Sequence, residues 1–174
     1  MKNLTHIWLL TTCLTCGIGF AQEQKELKKN AKSESVAKDL RDDIHLIAEA
    51  SINQVPVKGE LNIEYRLYIS QNIGISGWEL LEEPSYTGFN FETIKLENLK
   101  VENVTFKGKS YRMVVLKRDV LKAIKSGDYS VQPSQLLITA EIADASNKKD
   151  GSNFSMKQVT TTIVSNALKV NVKS

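Results

Sequence analysis

The chain has 174 residues, with 23 Lys and Arg against 20 Asp and Glu, so its formal net charge is only +3. A balance this even indicates an ordinary solvated surface and argues against the basic footprint of a nucleic-acid-binding domain. With two cysteines and two histidines in the whole sequence, thiolate, metal and histidine chemistry have little material to use.

The first 21 residues predict an export signal. Lys2 supplies a short positive region, the stretch Ile7–Phe20 is apolar, and Gly19-Phe20-Ala21 places small residues where a signal peptidase reads them. The apolar run is shorter than the roughly 20 residues that a membrane-spanning helix needs. We therefore expect cleavage after Ala21 and an exported protein, periplasmic or associated with the cell envelope, that begins at Gln22.

Cys13 and Cys16 both lie inside this signal, so the mature chain contains no cysteine. It can form neither a disulfide nor a thiolate metal site, and its stability must come from a hydrophobic core. Lipidation is the alternative use of these cysteines, but each follows a threonine, which matches a lipoprotein signal poorly. No second long apolar run follows, so we expect no transmembrane helix after cleavage.

The mature chain is predicted to be a flexible polar leader followed by one domain. Residues 22–41 hold few large apolar side chains and no aromatic ring. From Asp42 onward apolar residues recur at every second position, first at Ile44, Leu46 and Ala48. The clearest strand is Leu61–Ile69, whose five odd-numbered residues are all apolar or aromatic and fall on one face.

Turn-forming residues separate the later strands. Gly108 stands between two lysines and Gly127 follows Lys125-Ser126, both favourable places for a chain reversal. Further strands are predicted at Ile73–Leu81, Leu96–Phe106, Tyr111–Leu116, Tyr129–Val131, Leu136–Ile142 and Thr160–Val172. Lys117 and Arg118 are assigned to a basic connection between two of them. We expect an all-β domain over residues 42–174, an Ig-like antiparallel β-sandwich of about seven strands.

Five short motifs follow one another in this domain. They are Val57–Glu60 before Tyr65–Tyr68, Pro84–Phe89 followed by Glu92, Gly108–Tyr111 with Val115–Arg118, Lys125–Pro133, and Ser165–Val172. In order and spacing, over Asp42–Ser174, they resemble the N-terminal module of BatD-type oxygen tolerance (aerotolerance) proteins.

The resemblance implies an exported, Ig-like β protein without an established catalytic role, which acts with von Willebrand A-domain membrane proteins and a MoxR-type ATPase in aerotolerance and envelope stress. It carries no catalytic residue over to this chain. Members of that family usually continue through further β domains to a transmembrane helix. We expect this chain to be either a short stand-alone relative or part of a longer reading frame.

No group of residues predicts a reaction centre, a cofactor site or a metal site. His45 is the one histidine outside the signal and has no other ligand type spaced near it. Glu82 and Glu83 are adjacent, so in an extended segment they point to opposite sides. The loop from Asp144 to Asn153 lacks the ligand spacing of a calcium loop and contains two lysines. An enzyme is the least favoured class.

The remaining hypotheses are binding functions. Tyr86 and Phe89 flank a glycine, and we expect most such rings to be core; if exposed, they are the best protein-binding residues. Lys117 and Arg118 are the second candidate contact, for a phosphate-rich surface or an acidic partner. The favoured function is a scaffolding or protein-interaction module that binds other envelope proteins. The alternative is a carbohydrate- or surface-ligand-binding, adhesin-like domain, which requires exposed aromatic rings on one face.

Overall fold

The computed structural model describes residues 40–143 and 155–174. The predicted export signal, almost all of the leader and the predicted polar loop after Ala143 lie outside these described residues. Residues 40–43 are helical, and Leu40 already packs in the hydrophobic core. Nearly all the rest is β-structure, as predicted.

The strands have the following bounds: β1 Ile44–Ala50, β2 Gln54–Pro56, β3 Glu60–Ser70, β4 Gly74–Glu82, β5 Phe89–Ile94, β6 Val101–Phe106, β7 Lys109–Ala123, β8 Gly127–Val131, β9 Gln135–Ala143, β10 Met156–Val164 and β11 Leu168–Lys173.

These strands form two layers around one core. In the first layer the order is β1-β3-β7-β5, with β6 also paired to β7. The second layer contains β4-β9-β10 and β2-β11-β8. Core residues come from strands of both layers and make one hydrophobic cluster, which is the arrangement of a β-sandwich.

The two parts of the second layer are one hairpin ladder. Val164 pairs with Gln135, and Leu168 pairs with Val131. The distance along the chain between these two pairs is the same on both sides of the ladder. The register of β9–β10 therefore continues unchanged into β8–β11. At the break between them, the Ser165 N–H donates to the Ser134 carbonyl at 2.9 Å.

With β8 joined to β9 and β10 joined to β11 by this continuity, the eleven segments make nine strands. One layer holds β1, β3, β7, β5 and β6, and the other holds β4, the two long strands of the hairpin ladder, and β2 beside β11. Tyr129, near the start of β8, donates its hydroxyl to the Lys125 carbonyl at 3.0 Å. This hydrogen bond closes the turn between β7 and β8 as a tyrosine corner does in immunoglobulin-like sandwiches.

The predicted facing of β3 is confirmed. Leu61, Ile63, Tyr65, Leu67 and Ile69 are all buried, whereas Asn62 is exposed. β3 lies between β1 and β7 with one face on the core. Tyr68 is buried as well, although it is on the opposite face, because the Phe106 ring stacks on it at 4.3 Å. The first predicted strand is confirmed in the same way by buried Ile44, Leu46 and Ala48.

The basic connection predicted at Lys117 and Arg118 is wrong, because both residues lie within β7. Tyr65 pairs with Lys117 and Arg66 pairs with Val115, so Leu116 is an extra residue in the strand. Beyond such a bulge, the positions that would have faced outward face inward instead. The alternation of apolar and polar residues is therefore interrupted at Leu116, and one 15-residue strand resembles a strand followed by a loop.

The predicted hairpin around Gly108 is confirmed, but its first strand is shorter than expected. β6 begins at Val101, not at Leu96. Lys107 and Gly108 both have positive φ, at 50° and 77°, as a tight reversal between β6 and β7 requires. In the part of the chain that the structure describes, no helix has the length and apolar character needed to cross a membrane.

Candidate functional site

Two aromatic side chains face the interior of the sandwich yet stay half exposed. Trp78 on β4 pairs with Ile138, which is fully buried, so the indole lies on the inner face of its sheet. Phe91 on β5 pairs with fully buried Leu121 and therefore also faces inward. Their exposed fractions are nevertheless 46% and 52%. Inward-facing rings are left exposed where the opposite sheet does not cover them.

The gap that exposes these rings lies along one side of the sandwich. β5 pairs with β7 only from Arg118 onward, and β6 pairs with β7 only up to Val114. Within the described residues, Val115–Lys117 therefore has no strand neighbour on that side. β4 is paired only with β9 among the described strands, so its other edge is unpaired. We call this region the open side; it consists of Trp78, Leu80, Leu116 and Lys117, which line one cavity. Phe91 lies on the adjoining part of β5, where that strand does pair with β7.

A cavity of about 160 Å³ lies between the two layers at the open side. Its wall is mostly apolar and is contributed by Leu46, Leu80, Leu116, Leu136 and Trp78, together with Tyr65, Lys117 and Ser134. An apolar cavity of about 150 Å³ is large enough to hold a benzene-sized group. The open side can therefore receive one large apolar side chain.

Next to the cavity lies a buried polar cluster centred on Asp119. This carboxylate is fully buried and accepts hydrogen bonds from the Tyr86 hydroxyl and, at 2.6 Å, from the Thr93 hydroxyl. The Lys117 ammonium lies 3.2 Å from the same carboxylate. Tyr86 also lies 3.1 Å from the Tyr65 hydroxyl. A buried charge with three donors is compensated, which is how a sandwich interior tolerates an aspartate.

This environment keeps the two phenols protonated. Burial raises the pKa of Tyr65, the hydrogen bond with Tyr86 offsets part of this rise, and the nearby Asp119 charge adds a smaller rise, so that the pKa is about 12. Burial likewise raises the pKa of Tyr86, and its hydrogen bond to Asp119 adds to this effect. The cluster is thus a set of fixed donors around one anion, and a protonated phenol so held is not available as a base.

Tyr86 and Phe89 do not meet the condition under which they were proposed as contact residues, because their exposed fractions are 6% and 7%. Tyr86 belongs to the Asp119 cluster and packs edge-on against Phe91, with ring centroids 4.9 Å apart. Phe89 packs edge-on against Tyr129 at 5.4 Å. Both rings therefore belong to the core, as we expect for most aromatic side chains in this segment.

Lys117 and Arg118 face opposite sides of β7, so the structure does not bring them together. Lys117 points inward to Asp119 and lies 4.0 Å from Glu83 at the rim of the open side. Arg118 is on the outer face, where its Nη2 lies 2.5 Å from Glu64 Oε1. Their role in partner binding stays a prediction.

Glu64 connects Arg118 to a wider charged network on the outer face. Arg66 bonds both Glu64, at 2.8 Å, and Glu49, at 2.5 Å. Burial raises the pKa of Glu64, but hydrogen bonds from Arg66 and Arg118 outweigh it, so this pKa lies below its ordinary value. The outer face at this end is thus already neutralised internally.

The other end of the outer face carries an aromatic cluster around His45. Its ring lies 5.4 Å from that of Phe106 and 5.6 Å from that of Tyr111, and Phe106 stacks on Tyr68 at 4.3 Å. Burial lowers the pKa of His45, and the charge of Lys107 lowers it further. A half-buried neutral imidazole packed among rings fits a structural role.

In residues 40–143 and 155–174, no group of three or more His, Cys, Asp or Glu side chains is placed to hold a metal ion. The sequence analysis also did not single out the residues that form the open side. Trp78 and Leu80 are two positions apart in β4, a spacing that places both side chains on the same face of the strand. Their exposure, however, depends on where β5 and β6 end on the opposite sheet, and the sequence of β4 alone does not show this.

No protein-family model matches the chain, and no curated protein matches it either.

Proposed function

We propose that the chain is an exported, non-catalytic β-sandwich protein that binds another protein of the cell envelope. The resemblance of five ordered motifs to BatD-type proteins supports a Bat-type system linked to aerotolerance, with a von Willebrand A-domain membrane protein as the partner. The all-β sandwich is the fold that this resemblance implies. Export rests on the signal pattern at residues 1–21.

The observation that carries the binding function is the half-exposed pair Trp78 and Phe91. Aromatic side chains contribute most of the binding free energy at protein interfaces where they become desolvated. Both rings already belong to the packed interior on one side, so a partner that covers them gains apolar burial with little loss of side-chain freedom.

The same exposed rings support one second candidate, a carbohydrate-binding domain. An exposed indole offers a flat apolar surface to a sugar ring. Half of the residues that line the cavity beside Trp78, however, are leucines. Its polar residues, Tyr65, Lys117 and Ser134, already have partners within the protein, whereas a sugar needs several polar side chains to satisfy its hydroxyl groups. The lining therefore favours an apolar side chain of a protein.

Co-purification from membranes tests the proposal. Wild-type protein is expected to recover a von Willebrand A-domain protein, and Trp78→Ala is expected to recover much less. Ile124→Ala is the matched control, since Ile124 is equally exposed but does not line the cavity. Recovery of no envelope protein, together with binding to a glycan array, would contradict the proposal and establish the second candidate.

Localisation has its own test. N-terminal sequencing of the protein isolated from the envelope fraction is expected to begin at Gln22. A cytoplasmic product that retains Met1 would show that the export proposal is wrong.

A further inference from the structure

The geometry points to a defined mode of recognition at the open side: an extended, basic segment of a partner polypeptide adds as a strand to the free edge of β4 and places one large apolar side chain in the cavity beside Trp78. This inference rests on the proposed function, because it presupposes that the partner is a protein, and it specifies how that partner is held.

The backbone of β4 provides the first argument. β4 runs over Gly74–Glu82, and within the described part of the chain its only hydrogen-bonded neighbour is β9. Ser76 and Leu81 are bulged residues of β4, and between them Gly77–Leu80 keeps a regular pairing with β9. The free edge of this regular part presents N–H and C=O groups to an extended chain. Peptide recognition by strand addition uses such an edge for affinity and a neighbouring pocket for specificity.

The cavity provides the second argument. Side chains of an added strand alternate between the two faces of the sheet, so every second residue would lie beside Trp78 and Leu80 on the inner face. The cavity of about 160 Å³ is lined by these two residues on one side and by Leu116 and Lys117 of the opposite layer on the other. It therefore accepts one phenyl or isobutyl group from the added strand.

Charge defines the flanking residues of the partner. Glu79, Glu82 and Glu83 follow one another along the second half of β4 and just beyond it, and all three are exposed. Lys117 lies 4.0 Å from Glu83 and is itself 3.2 Å from Asp119, so it offsets little of this negative charge. Lysine or arginine beside the apolar anchor would complement the three carboxylates.

A second copy of this chain is the competing occupant of the edge. Full antiparallel pairing of two β4 strands about a two-fold axis would place Glu79 opposite Gly77 and Glu82 opposite Gly74. Because β4 contains no lysine or arginine, such a dimer would leave these carboxylates without a cationic partner from the added strand. A basic segment of a different protein supplies that partner.

Peptide binding to the full-length chain tests the inference. The probe is the synthetic peptide acetyl-KKTVTFTVTKK-amide, which has one central phenylalanine in a strand-forming basic sequence. Three matched peptides replace the phenylalanine by alanine, replace every lysine by glutamate, or carry N-methyl groups on alternate backbone nitrogens. Affinity is measured by calorimetry, and the indole N–H resonance of Trp78, assigned with Trp78→Phe, reports the site.

The phenylalanine peptide is expected to bind about tenfold or more tightly than its alanine counterpart, since burying a phenyl group favours binding by that factor. The glutamate and N-methyl peptides are expected to bind more weakly still, and the Trp78 resonance is expected to shift only on binding. Leu80→Phe fills the cavity and is expected to remove the advantage of the phenylalanine peptide. Leu81→Phe, at the neighbouring exposed position, is the matched control and is expected to retain that advantage.

Several results would overturn the inference. These are equal affinities for the phenylalanine and alanine peptides, undiminished binding of the glutamate peptide, and an unchanged preference in both Leu80→Phe and Trp78→Ala while circular dichroism shows folded protein. A free dimer in sedimentation whose dissociation exposes Trp78 would show that a second copy occupies the edge.

The two proposals can fail separately. If the peptide series shows no preference while membranes still yield the envelope partner, strand addition is wrong and the proposed function stands. If the peptide series behaves as expected while no envelope protein is recovered, the edge is a binding site but its proposed partner class is wrong.

Discussion

Lys117 and Asp119 lie two positions apart on β7, and both face the interior of the sandwich, with the ammonium nitrogen 3.2 Å from a carboxylate oxygen. The bulge at Leu116 is what turns Lys117 inward. The pair therefore exists because of a local irregularity in the backbone, and it joins the cavity to the hydrogen-bond cluster of Tyr86 and Thr93.

Asp119→Ala is expected to destabilise the fold by about 3–5 kcal/mol, because it leaves the inward-facing ammonium and two hydroxyls without their acceptor. Urea denaturation measures the loss. Glu92→Ala, at an exposed position of β5, is the control and is expected to change stability by less than about 0.5 kcal/mol. The double variant Lys117→Met/Asp119→Leu is expected to recover part of the loss, since it removes both charges together. A single variant as stable as wild type would show that the cluster contributes nothing.

Stability is expected to fall in alkali because of the buried phenols. The pKa of Tyr65 is raised to about 12 in the folded protein, whereas an unfolded tyrosine titrates near pH 10. A raised pKa means that the folded state holds the proton more tightly. The stabilisation is therefore complete below about pH 10 and is lost as the pH rises toward the folded value. Tyr65→Phe is expected to make this decline shallower.

Absorbance at 295 nm provides the direct measurement of phenol ionisation. In native protein, part of the tyrosine absorbance change is expected to occur at higher pH than in the same protein dissolved in urea. Coincident native and urea titration curves would contradict the raised pKa.

Gly88→Ala is expected to cost about 2–4 kcal/mol, from backbone strain and overpacking together. Gly88 has a φ of 88°, and a Cβ at this position would overlap the Tyr129 ring. Gly108 is the matched control: its φ is 77°, but a Cβ there meets nothing within 4 Å. Gly108→Ala is expected to cost only about 1–2 kcal/mol, and thermal denaturation separates the two. Equal losses would show that the Tyr129 ring moves away without cost.

Leu67→Asp is expected to prevent folding, because Leu67 is 1% exposed and a carboxylate there would have no partner. Asn62→Asp introduces the same charge on the exposed face of the same strand and is expected to leave the fold intact. Far-UV circular dichroism and the thermal transition compare the two. A Leu67→Asp protein that melts like wild type would show that the assigned facing of β3 is wrong.

Sequence reasoning succeeded where one strand has one buried face. The alternation of β3 predicts its facing residue by residue, because β7 pairs with its whole length and β1 pairs with it over Ile63–Ile69. Several motif residues also turn out to build the fold. Gly88 makes room for the Tyr129 ring, and the Asn166 side-chain amide exchanges two hydrogen bonds with the Ala48 backbone, at 2.9 and 3.0 Å.

Sequence reasoning failed where the facing or exposure of a side chain depends on a different strand. The inward turn of Lys117 comes from a bulge whose position is set by pairing with β3, so the local pattern around Lys117 indicated a connection instead. Trp78 lies in the middle of β4 and Tyr86 lies just before β5, yet Trp78 is half exposed and Tyr86 is buried. That difference is decided by where β5 and β6 stop on β7, which no pattern within β4 reveals.

The unbroken register of the β8–β9 and β10–β11 hairpin has a consequence for how the chain folds. Its two arms are neighbours in sequence, so this ladder can form early, at the small entropic cost of closing one loop. β2, by contrast, must find β11 across most of the domain: Gln54 and Asn171, whose side chains hydrogen-bond there, are 117 positions apart. β2 leaves the ribosome among the earliest strands, yet it can join the second layer only after β11 has emerged.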